Sequence, residues 1–381
     1  MASTLKYGLA FFCRIKTPGK GRNHGYRICR TIGYPSQLPW RSFPSLCREA
    51  SDHCLFRKEQ GNIDYNQGMD KILIFGPSVM DLVQHVKRLP REGEEIVPLS
   101  RNQRISGSGF CMADLFRFLN MPYHLYTSAG TGLYGEEVKD RLDRLGFSYS
   151  SKSSEVAGCM YTLMDEAGNT ARFAVPGGEY DFVEEDHPES RYAILDGSYL
   201  YEADCDPLPD LFLQEHTAVL FCPHQAGVET DPVLWEAILR TGPIIHLCEE
   251  EAALLKEEDT QDLKSVAETI HLLTHQPVII LRTDGSGYYY EKGQEFIMPS
   301  AVDSLTDRTG MSEAHAAAFL LARNAGVDVR SAMRFASECA ALAAKSAESV
   351  IAEADHETVR QFLIQAIMTE SRGGHGNGSL S

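Results

Sequence analysis

The sequence lacks any apolar run long enough to cross a membrane, because no stretch approaches the ~18 consecutive apolar residues of a spanning helix. It also lacks paired cysteines, since its ten cysteines are scattered and none has the Cys-X-X-Cys spacing of zinc or redox sites. The apolar patch at 8–13 is too short for a secretory signal. We therefore expect a cytoplasmic protein with reduced thiols and no membrane partner.

Basic residues are scarce over most of the chain. Residues 1–68 contain 11 Lys and Arg against 4 Asp and Glu, whereas residues 69–381 contain 25 against 49 and carry a net charge of −24. Proteins that bind nucleic acid need clustered cations to neutralise phosphates. The acidic body therefore predicts that nucleic acid is not a partner.

Residues 1–68 differ from the rest in pattern as well as charge. They mix basic residues with Pro, Gly and Ser and keep neither a helical nor a strand period, so we expect a disordered extension outside the core. One explanation is an Arg-rich targeting peptide, and the other is a non-native extension before an internal start at Met69. The second is favoured because 69–76 has the pattern of an opening strand. The glycine-rich tail 371–381 is also expected to be disordered.

The body, predicted as one domain over 69–370, alternates strands with helices. The predicted strands are 72–75, 123–126, 192–195, 218–221, 243–246 and 278–281. The predicted helices include 108–120, 136–145, 234–240, 263–273, 311–323, 330–347 and 357–368. This order is typical of an α/β fold with a mostly parallel sheet and helices on both faces. Pieces near 95–106 and 159–175 predict a second, small sheet.

The stretch 303–322 is a polar, glycine-containing turn followed by an alanine-rich helix. The first N–H groups of a helix lack intrahelical partners and lie at the positive end of its dipole, so they attract anions. We predict that Glu313 acts as a general base beside this anion hole. The hole is expected to consist of the N–H groups of Gly310, Met311, Ser312 and Glu313. The alternative is that Thr309 is an ordinary N-cap and Glu313 a dipole-favourable acid.

Other candidate residues follow the predicted strands, where ligands of open parallel sheets bind. Asp81 follows the first strand and can accept hydrogen bonds from a polyol, or it is a surface aspartate in a loop. Glycines in 106–109 and 283–287 allow close backbone approach to a ligand, or they form ordinary turns. The acidic run 249–251 can hold Mg²⁺ through water, or it is a solvated helix start.

Two more strand ends carry zinc-type ligands. Cys222 and His224 lie two residues apart, and so do His246 and Cys248. Residues two apart on a strand share a face, so four ligands of this kind can converge. A zinc site is therefore an alternative at this edge, without support from Cys-X-X-Cys spacing.

Taken in chain order, these predicted strands, helices and motifs resemble the ribokinase-like (PfkB-type) family of carbohydrate and nucleoside kinases over residues 69–370. The strongest element is Asp307-Arg-Thr-Gly-Met-Ser-Glu313, which is similar to the family's D-T-x-G-A-G-D signature. The resemblance implies a three-layer sandwich with a small β lid. It also implies phosphorylation of a hydroxymethyl group on a sugar or nucleoside by ATP with Mg²⁺, a monovalent cation in some members, and a homodimer paired through the lids.

The resemblance also implies roles for individual residues, each at the position that matches a family motif. Acceptor binding is implied for Asp81, Gly107, Ser108 and Cys111. Nucleotide binding is implied for Thr283, Gly285, Gly287 and Glu251, and cation binding for Asp307 and Thr309. Catalysis is implied for Glu313 with Gly310, Met311 and Ser312.

The departures from the family pattern lie among the residues implied in catalysis and acceptor binding. Glu313 replaces the catalytic aspartate, Ser312 a glycine, and Cys111 the usual asparagine. The reference pKa values of Glu and Asp are similar, about 4.3 and 3.9, so replacing one by the other hardly changes the strength of the base. An added methylene shifts the carboxylate by roughly 1 Å, which can reduce the rate about 10²-fold. A catalytically impaired sugar- or nucleotide-binding protein on the same fold is therefore the alternative function.

Overall fold

The apolar runs of the sequence form the strands of a large central sheet in the computed structural model. The structure describes residues 58–59, 62–63, 69–153, 155–167, 169–181, 183, 187–200, 216–255, 262–301, 308–346 and 348–373. The predicted extension 1–68, apart from four residues, lies outside the described residues. So do Asp307 and the tail from 374 onward.

The strands are short and are spread along the whole body. In chain order they are β1 (Lys58–Glu59), β2 (Asn62–Ile63), β3 (Ile72–Phe75), β4 (Val79–Val86), β5 (Ser100–Ser106), β6 (Tyr123–Thr127), β7 (Tyr149–Ser151), β8 (Cys159–Asp165), β9 (Thr170–Val175), β10 (Tyr192–Asp196), β11 (Ala218–Cys222), β12 (Ile244–Cys248), β13 (Val278–Leu281), β14 (Gly287–Glu291) and β15 (Gln294–Met298).

Helices connect these strands. They are α1 (Ser108–Phe118), α2 (Gly132–Leu145), α3 (His224–Val228), α4 (Pro232–Arg240), α5 (Glu249–Leu254), α6 (Leu263–Thr274), α7 (Met311–Asn324), α8 (Val329–Lys345) and α9 (His356–Gly373). Within the described part of the chain, no helix is long and apolar enough to cross a bilayer.

The central sheet has nine strands in the order β15-β14-β13-β12-β11-β10-β3-β6-β7. From β7 to β13 all neighbours are parallel, and β14 and β15 extend the sheet as an antiparallel hairpin. Parallel neighbours end at the same edge of a sheet, so the carboxyl ends of β3, β10, β11, β12 and β13 lie side by side. The prediction of a mostly parallel α/β fold is confirmed.

Both faces of the central sheet are covered. All four residues of β3 are buried, and its alternate residues Leu73 and Phe75 belong to a core shared with α4, α5 and α6. The opposite face packs against α1 and α7, with α7 in turn packed on α8. Strands buried on both sides have no polar face, which explains why they appear in the sequence as continuous apolar runs.

The second sheet has the order β5-β4-β8-β9. Its hairpin β8–β9 and the strand at 100–106 agree with the predicted pieces, but residues 95–99 form no strand. The sheet also contains β4, which the sequence analysis treated as a loop. We call this sheet, residues 79–86, 100–106, 159–165 and 170–175, the lid.

A buried histidine pair joins the central sheet to helix α7. His246 Nε2 on β12 lies 2.9 Å from His315 Nδ1, and both side chains are buried. Burial lowers the pKa of His315 to about 3 and holds the pKa of His246 well below its ordinary value. Both rings are therefore neutral in the folded protein near pH 7.

We expect this pair to make the fold sensitive to acid. The unfolded histidines take up protons below about pH 6.5 while the folded ones do not, so the free energy of unfolding falls as the pH drops. Between pH 7.5 and 5.5 the two groups together account for about 2–3 kcal/mol. Urea unfolding of wild type and of His246→Leu/His315→Leu at both pH values measures the difference.

The double variant should lose less stability than wild type over this interval, whatever its stability at pH 7.5. His216→Gln, a change at an exposed histidine, is the control and should retain the wild-type pH dependence. Equal losses in all three proteins would contradict the assignment.

Candidate active site

Asp196 is the last residue of β10 and is a buried carboxylate at the ligand-binding edge of the sheet. Its Oδ2 atom lies 2.6 Å from His224 Nε2, and its Oδ1 atom accepts a hydrogen bond from the backbone N–H of Ser198 at 2.8 Å. Ser108, at the start of α1, also donates a side-chain hydrogen bond to it. Burial acts to raise the pKa of Asp196, but the charge of His224 and these hydrogen bonds outweigh it and lower the pKa.

His224 lies between two carboxylates. Besides Asp196, its Nδ1 atom is 3.5 Å from Glu251 Oε1. Burial opposes the charged imidazole, but the two carboxylates raise the pKa of His224 well above its ordinary value. Its φ of 52° is in the left-handed region, which a residue other than glycine adopts only when its surroundings enforce it. The two carboxylates thus favour the cationic form of His224, just beyond the end of β11.

Glu251 belongs to the first turn of α5, where it closes the start of the helix. Its Oε2 atom accepts a hydrogen bond from the backbone N–H of Cys248 at 2.8 Å. One carboxylate oxygen therefore caps the helix and the other faces His224. Both oxygens of the Glu251 carboxylate thus already have protein neighbours.

The residues of the predicted anion hole lie at a helix start, where the N–H of Met311 already donates to the carbonyl oxygen of Arg308 at 3.3 Å. Gly310 is the N-cap of α7 in a left-handed conformation with φ of 78°, and no side chain caps the helix. The alternative that Thr309 is an ordinary N-cap is therefore wrong. The Thr309 hydroxyl instead accepts a hydrogen bond from Arg172, which is carried by lid strand β9.

Glu313 lies in the first turn of α7 among charged neighbours. Burial raises the pKa of its carboxyl group, whereas His224 and Arg172 act to lower it and Asp196 to raise it. The site can therefore hold a carboxylate base next to an imidazolium.

The start of α1 carries three of the residues predicted to bind the acceptor, Gly107, Ser108 and Cys111. Gly107 has φ of 99°, and a Cβ there would lie 2.4 Å from the carbonyl oxygen of Pro77, so only glycine fits. Cys111 is buried one turn into the helix, hydrogen-bonded to Ser349 and within electrostatic reach of Glu313. Burial raises the pKa of its thiol, so it remains a neutral SH group.

Asp81 is a buried residue of β4 and not a surface residue in a loop. Its Oδ2 atom accepts a hydrogen bond from Arg104 Nε at 2.9 Å, and its Oδ1 atom accepts one from the Thr162 hydroxyl at 2.8 Å. Arg104 is equally buried. An acceptor hydroxyl that reached Asp81 would have to share a carboxylate already paired with an arginine.

The residues predicted to bind the nucleotide lie in two different environments. Thr283 is exposed, and its N–H and hydroxyl donate to Glu249 Oε2 at 2.8 and 2.6 Å. Gly285 forms the turn that follows, with φ of 82°. Gly287 instead faces the interior, because a Cβ there would lie 2.8 Å from Met333 Cε and 3.1 Å from His315 Nε2.

The four zinc-type residues do not converge. His224 points to Asp196 and Glu251, while His246 is bonded to His315. Across the described ranges, no three His, Cys, Asp or Glu side chains are grouped so as to hold a metal ion. The structure therefore does not support the zinc alternative.

The sequence analysis missed three charged residues of the site. Asp196 appeared only as the residue after a buried strand, although its position at a strand end was a usable signal. Arg104 and Arg172 lie on lid strands, where an isolated arginine looks like a solvated side chain. Only the fold brings them to Asp81 and Thr309.

Comparison with known proteins gives one family and many structures of the same fold. The model of the pfkB family of carbohydrate kinases matches residues 69–355. The ribokinase of Thermotoga maritima aligns with a TM-score of 0.64 and 19% identity, over 79% of this chain and 99% of that chain. No curated protein matches the chain.

Two further structures have bound ligands. A nucleoside kinase of Burkholderia thailandensis, solved with inosine, aligns with a TM-score of 0.62 and 17% identity over 78% of this chain and 98% of that chain. The ribokinase of Arabidopsis thaliana, solved with ribose and ATP, aligns with a TM-score of 0.60 and 17% identity over 78% and 99%. At these identities the likeness shows a shared ribokinase-like fold.

The helix start of α7 should tolerate no side chain at Gly310. A Cβ there would combine a left-handed backbone with a distance of 1.9 Å to the carbonyl oxygen of Ser349, which is backbone and cannot move aside alone. We expect Gly310→Ala to reduce the free energy of unfolding by about 2–4 kcal/mol in urea titrations.

Gly93→Ala is the matched control. Gly93 has nearly the same φ, 75°, but has no atom within 4 Å of the added Cβ. Gly93→Ala should reduce the free energy of unfolding by about 1–2 kcal/mol, which is the cost of the left-handed backbone alone. Equal losses at the two positions would mean that the contact with Ser349 is unimportant.

Proposed function

Because this chain belongs to the pfkB family of carbohydrate kinases, we propose that it transfers the γ-phosphoryl group of ATP to a hydroxymethyl group of a sugar or nucleoside. The observation that carries this proposal is the juxtaposition at the start of α7. Glu313 lies beside an uncapped helix N-terminus and within reach of the cationic His224. A base and an anion-binding group are the two parts that such a transfer requires.

The proposed chemistry uses this chain's own groups as follows. Glu313 accepts the proton of the acceptor hydroxyl, whose oxygen bonds to the γ-phosphorus as the bond to the bridging oxygen of ADP breaks. The N–H groups at Gly310, Ser312 and Glu313 hold the transferring group, whereas that of Met311 donates to the carbonyl oxygen of Arg308. His224 lies within electrostatic reach of Glu313, where its charge favours the carboxylate form.

The cofactors follow from the same positions. Thr283 and Gly285, at the end of β13, are proposed to approach the nucleotide, with Gly287 supporting the loop from the interior. Mg²⁺ would neutralise phosphate charge when bound with ATP, and Glu251 is the carboxylate proposed to hold it through water. The cation role of Thr309 stays a prediction, and its proposed partner Asp307 lies outside the described residues.

The acceptor is proposed to bind between the lid and the start of α1. Asp81, Gly107, Ser108 and Cys111 are the residues assigned to it. A cytoplasmic location and the lack of a nucleic-acid partner stay predictions from composition. The choice between sugar and nucleoside rests on the acceptor panel below.

A binding protein without turnover is the second candidate. It is favoured by Glu313, which stands where the family's signature has aspartate and is one methylene longer. The added methylene shifts the carboxylate relative to an acceptor hydroxyl, and a misplacement of roughly 1 Å can reduce the rate about 10²-fold. Such a protein would keep the pocket as a sensor for its ligand.

Replacing Glu313 by Gln separates the two candidates. Removing a general base should lower kcat about 10²- to 10⁴-fold with little change in ligand binding. Phosphate transfer from ATP is measured for wild type and variant over a panel of sugars and nucleosides, and ligand binding is followed by thermal shift.

Glu338→Gln serves as the matched control, because burial also raises the pKa of that carboxyl group but it lies on α8 away from the site. It should retain wild-type turnover. Ligand binding without turnover in wild type and all variants would reject the kinase and favour the sensor.

A homodimer through the lid is also proposed. Strand β9 is at the edge of the lid sheet, and its residues are exposed. Phe173, 56% exposed, stacks on Tyr161 at 4.8 Å, with Val175 exposed beside it. An edge strand with apolar neighbours can pair with its own copy about a two-fold axis, which would cover both the edge and the apolar face.

Phe173→Glu should shift the protein toward monomer, because like charges would then face each other across the two-fold axis. Light scattering at micromolar concentration measures the mass. Leu272→Glu is the control, since Leu272 is 71% exposed on α6 and should leave the mass unchanged. A monomeric wild type at this concentration would refute the dimer.

A further inference from the structure

Two strands of the lid meet where they join the rest of the domain. Strand β8 begins after the loop 156–158, and strand β9 ends before the loop 176–178. We call these two loops the junction. A Cβ at Gly158 would lie 1.8 Å from the carbonyl oxygen of Val175, and one at Gly177 would lie 2.3 Å from the backbone nitrogen of Gly158. The two segments therefore touch backbone to backbone, which only glycine permits.

Glu179 links the two sides of the junction. Its Oε2 atom accepts a hydrogen bond from the backbone N–H of Gly158 at 2.7 Å, and its Oε1 atom accepts one from that of Gly177 at 3.1 Å. The residue is only 1% exposed. Burial raises the pKa of its carboxyl group, and the two N–H groups act against that shift. One buried carboxylate therefore bridges the strand that enters the lid and the strand that leaves it.

The junction is also tied to the ligand-binding edge of the central sheet. Thr131, in the loop between β6 and α2, donates its N–H to the carbonyl oxygen of Glu155 at 2.7 Å, and its carbonyl oxygen accepts from the N–H of Ala157 at 2.9 Å. A Cβ at Gly130 would lie 2.5 Å from the Cα atom of Ala157. The chain is therefore held against the central sheet up to residue 157, and the lid begins just beyond it. A hinge needs such a fixed side next to a side that can move.

Strand β8 connects the junction to the proposed acceptor residue Asp81. In the lid register Met160, two residues after Gly158, pairs with Asp81. Thr162 follows on the same face and donates its hydroxyl to Asp81 at 2.8 Å. A shift of β8 at the junction would therefore move a hydrogen-bond partner of Asp81.

We propose that Glu179 is a positioning residue that clamps the base of the lid and so fixes the place of Asp81 over the acceptor. The carboxylate makes β8 and β9 move as one unit, because backbone groups next to both strands are bonded to the same side chain. The effect on the acceptor rests on the proposed function, whereas the clamp itself can be measured without a ligand.

Glu179→Gln tests the clamp with a side chain of the same size. An amide keeps one acceptor oxygen but turns an NH₂ group toward the second backbone N–H, so one of the two hydrogen bonds is lost. Hydrogen exchange of the full-length protein, followed by mass spectrometry, should become about 10- to 100-fold faster in lid peptides that cover 159–165 and 170–175, the usual effect of losing a hydrogen bond to a charged group. Peptides from the central strands β10 and β11 should keep the wild-type rate.

Two further variants complete the exchange experiment. Glu179→Asp keeps the charge but is one methylene shorter, so it should loosen the lid as Glu179→Gln does, because it cannot bridge both N–H groups. Glu155→Gln, a change at an exposed glutamate beside the junction, is the matched control and should keep the wild-type exchange. Unchanged lid exchange in Glu179→Gln would overturn the clamp. So would faster exchange throughout the protein, or a variant that does not fold, because Glu179 would then support the fold as a whole.

Steady-state kinetics tests the effect of the clamp on the acceptor. In Glu179→Gln the KM for the acceptor should rise about 3- to 10-fold, because part of the binding energy must then order the lid, while kcat changes less than about twofold. An unchanged KM, or a fall in kcat alone, would overturn the positioning role and leave the proposed kinase standing. A wild type without turnover on any acceptor would overturn the proposed function and leave the clamp, which hydrogen exchange tests by itself.

Discussion

A carboxylate removed from water needs a cation, and the pairing of Asp196 with His224 meets that need at the centre of the site. The pair depends on the close approach of two loops. Asp196 and Cys222 are in register at the ends of adjacent parallel strands, and a Cβ at Gly197 would lie 2.0 Å from the carbonyl oxygen of Pro223. Only glycine permits this contact, which carries His224 onto Asp196. Glu251 and Glu313 then both lie within electrostatic reach of His224.

The positive charge of His224 also acts on Glu313, the residue that replaces the catalytic aspartate of the family pattern. A glutamate in the first turn of α7 is one methylene longer than an aspartate, and Glu313 lies within electrostatic reach of His224. Burial raises its pKa, but His224 opposes that shift. Glu313 therefore acts together with His224, because the charge of the imidazole favours the carboxylate form of the longer side chain.

The lid depends on a second buried pair of opposite charges. Asp81 and Arg104 form a buried ion pair whose desolvation is offset by close contact and by the hydroxyl of Thr162. Removing one partner would leave an unpaired buried charge, so the pair gives the inner face of the lid a single arrangement. That arrangement aligns Arg172 with Thr309, and it couples the position of the lid to the start of α7.

The sequence by itself determined the alternation of strands and helices, because strands such as β3 and β13 are buried on both faces and appear as unbroken apolar runs. It also determined the helix start at Gly310, since turn glycines act locally. It did not reveal β4, whose polar Asp81, Gln84 and His85 interrupt any simple period. Tertiary structure alone decided which charges meet: Asp196 with His224, Asp81 with Arg104, and Arg172 with Thr309. These partners lie 23 or more residues apart, and their pairing depends on strand register and loop approach, which no local pattern encodes.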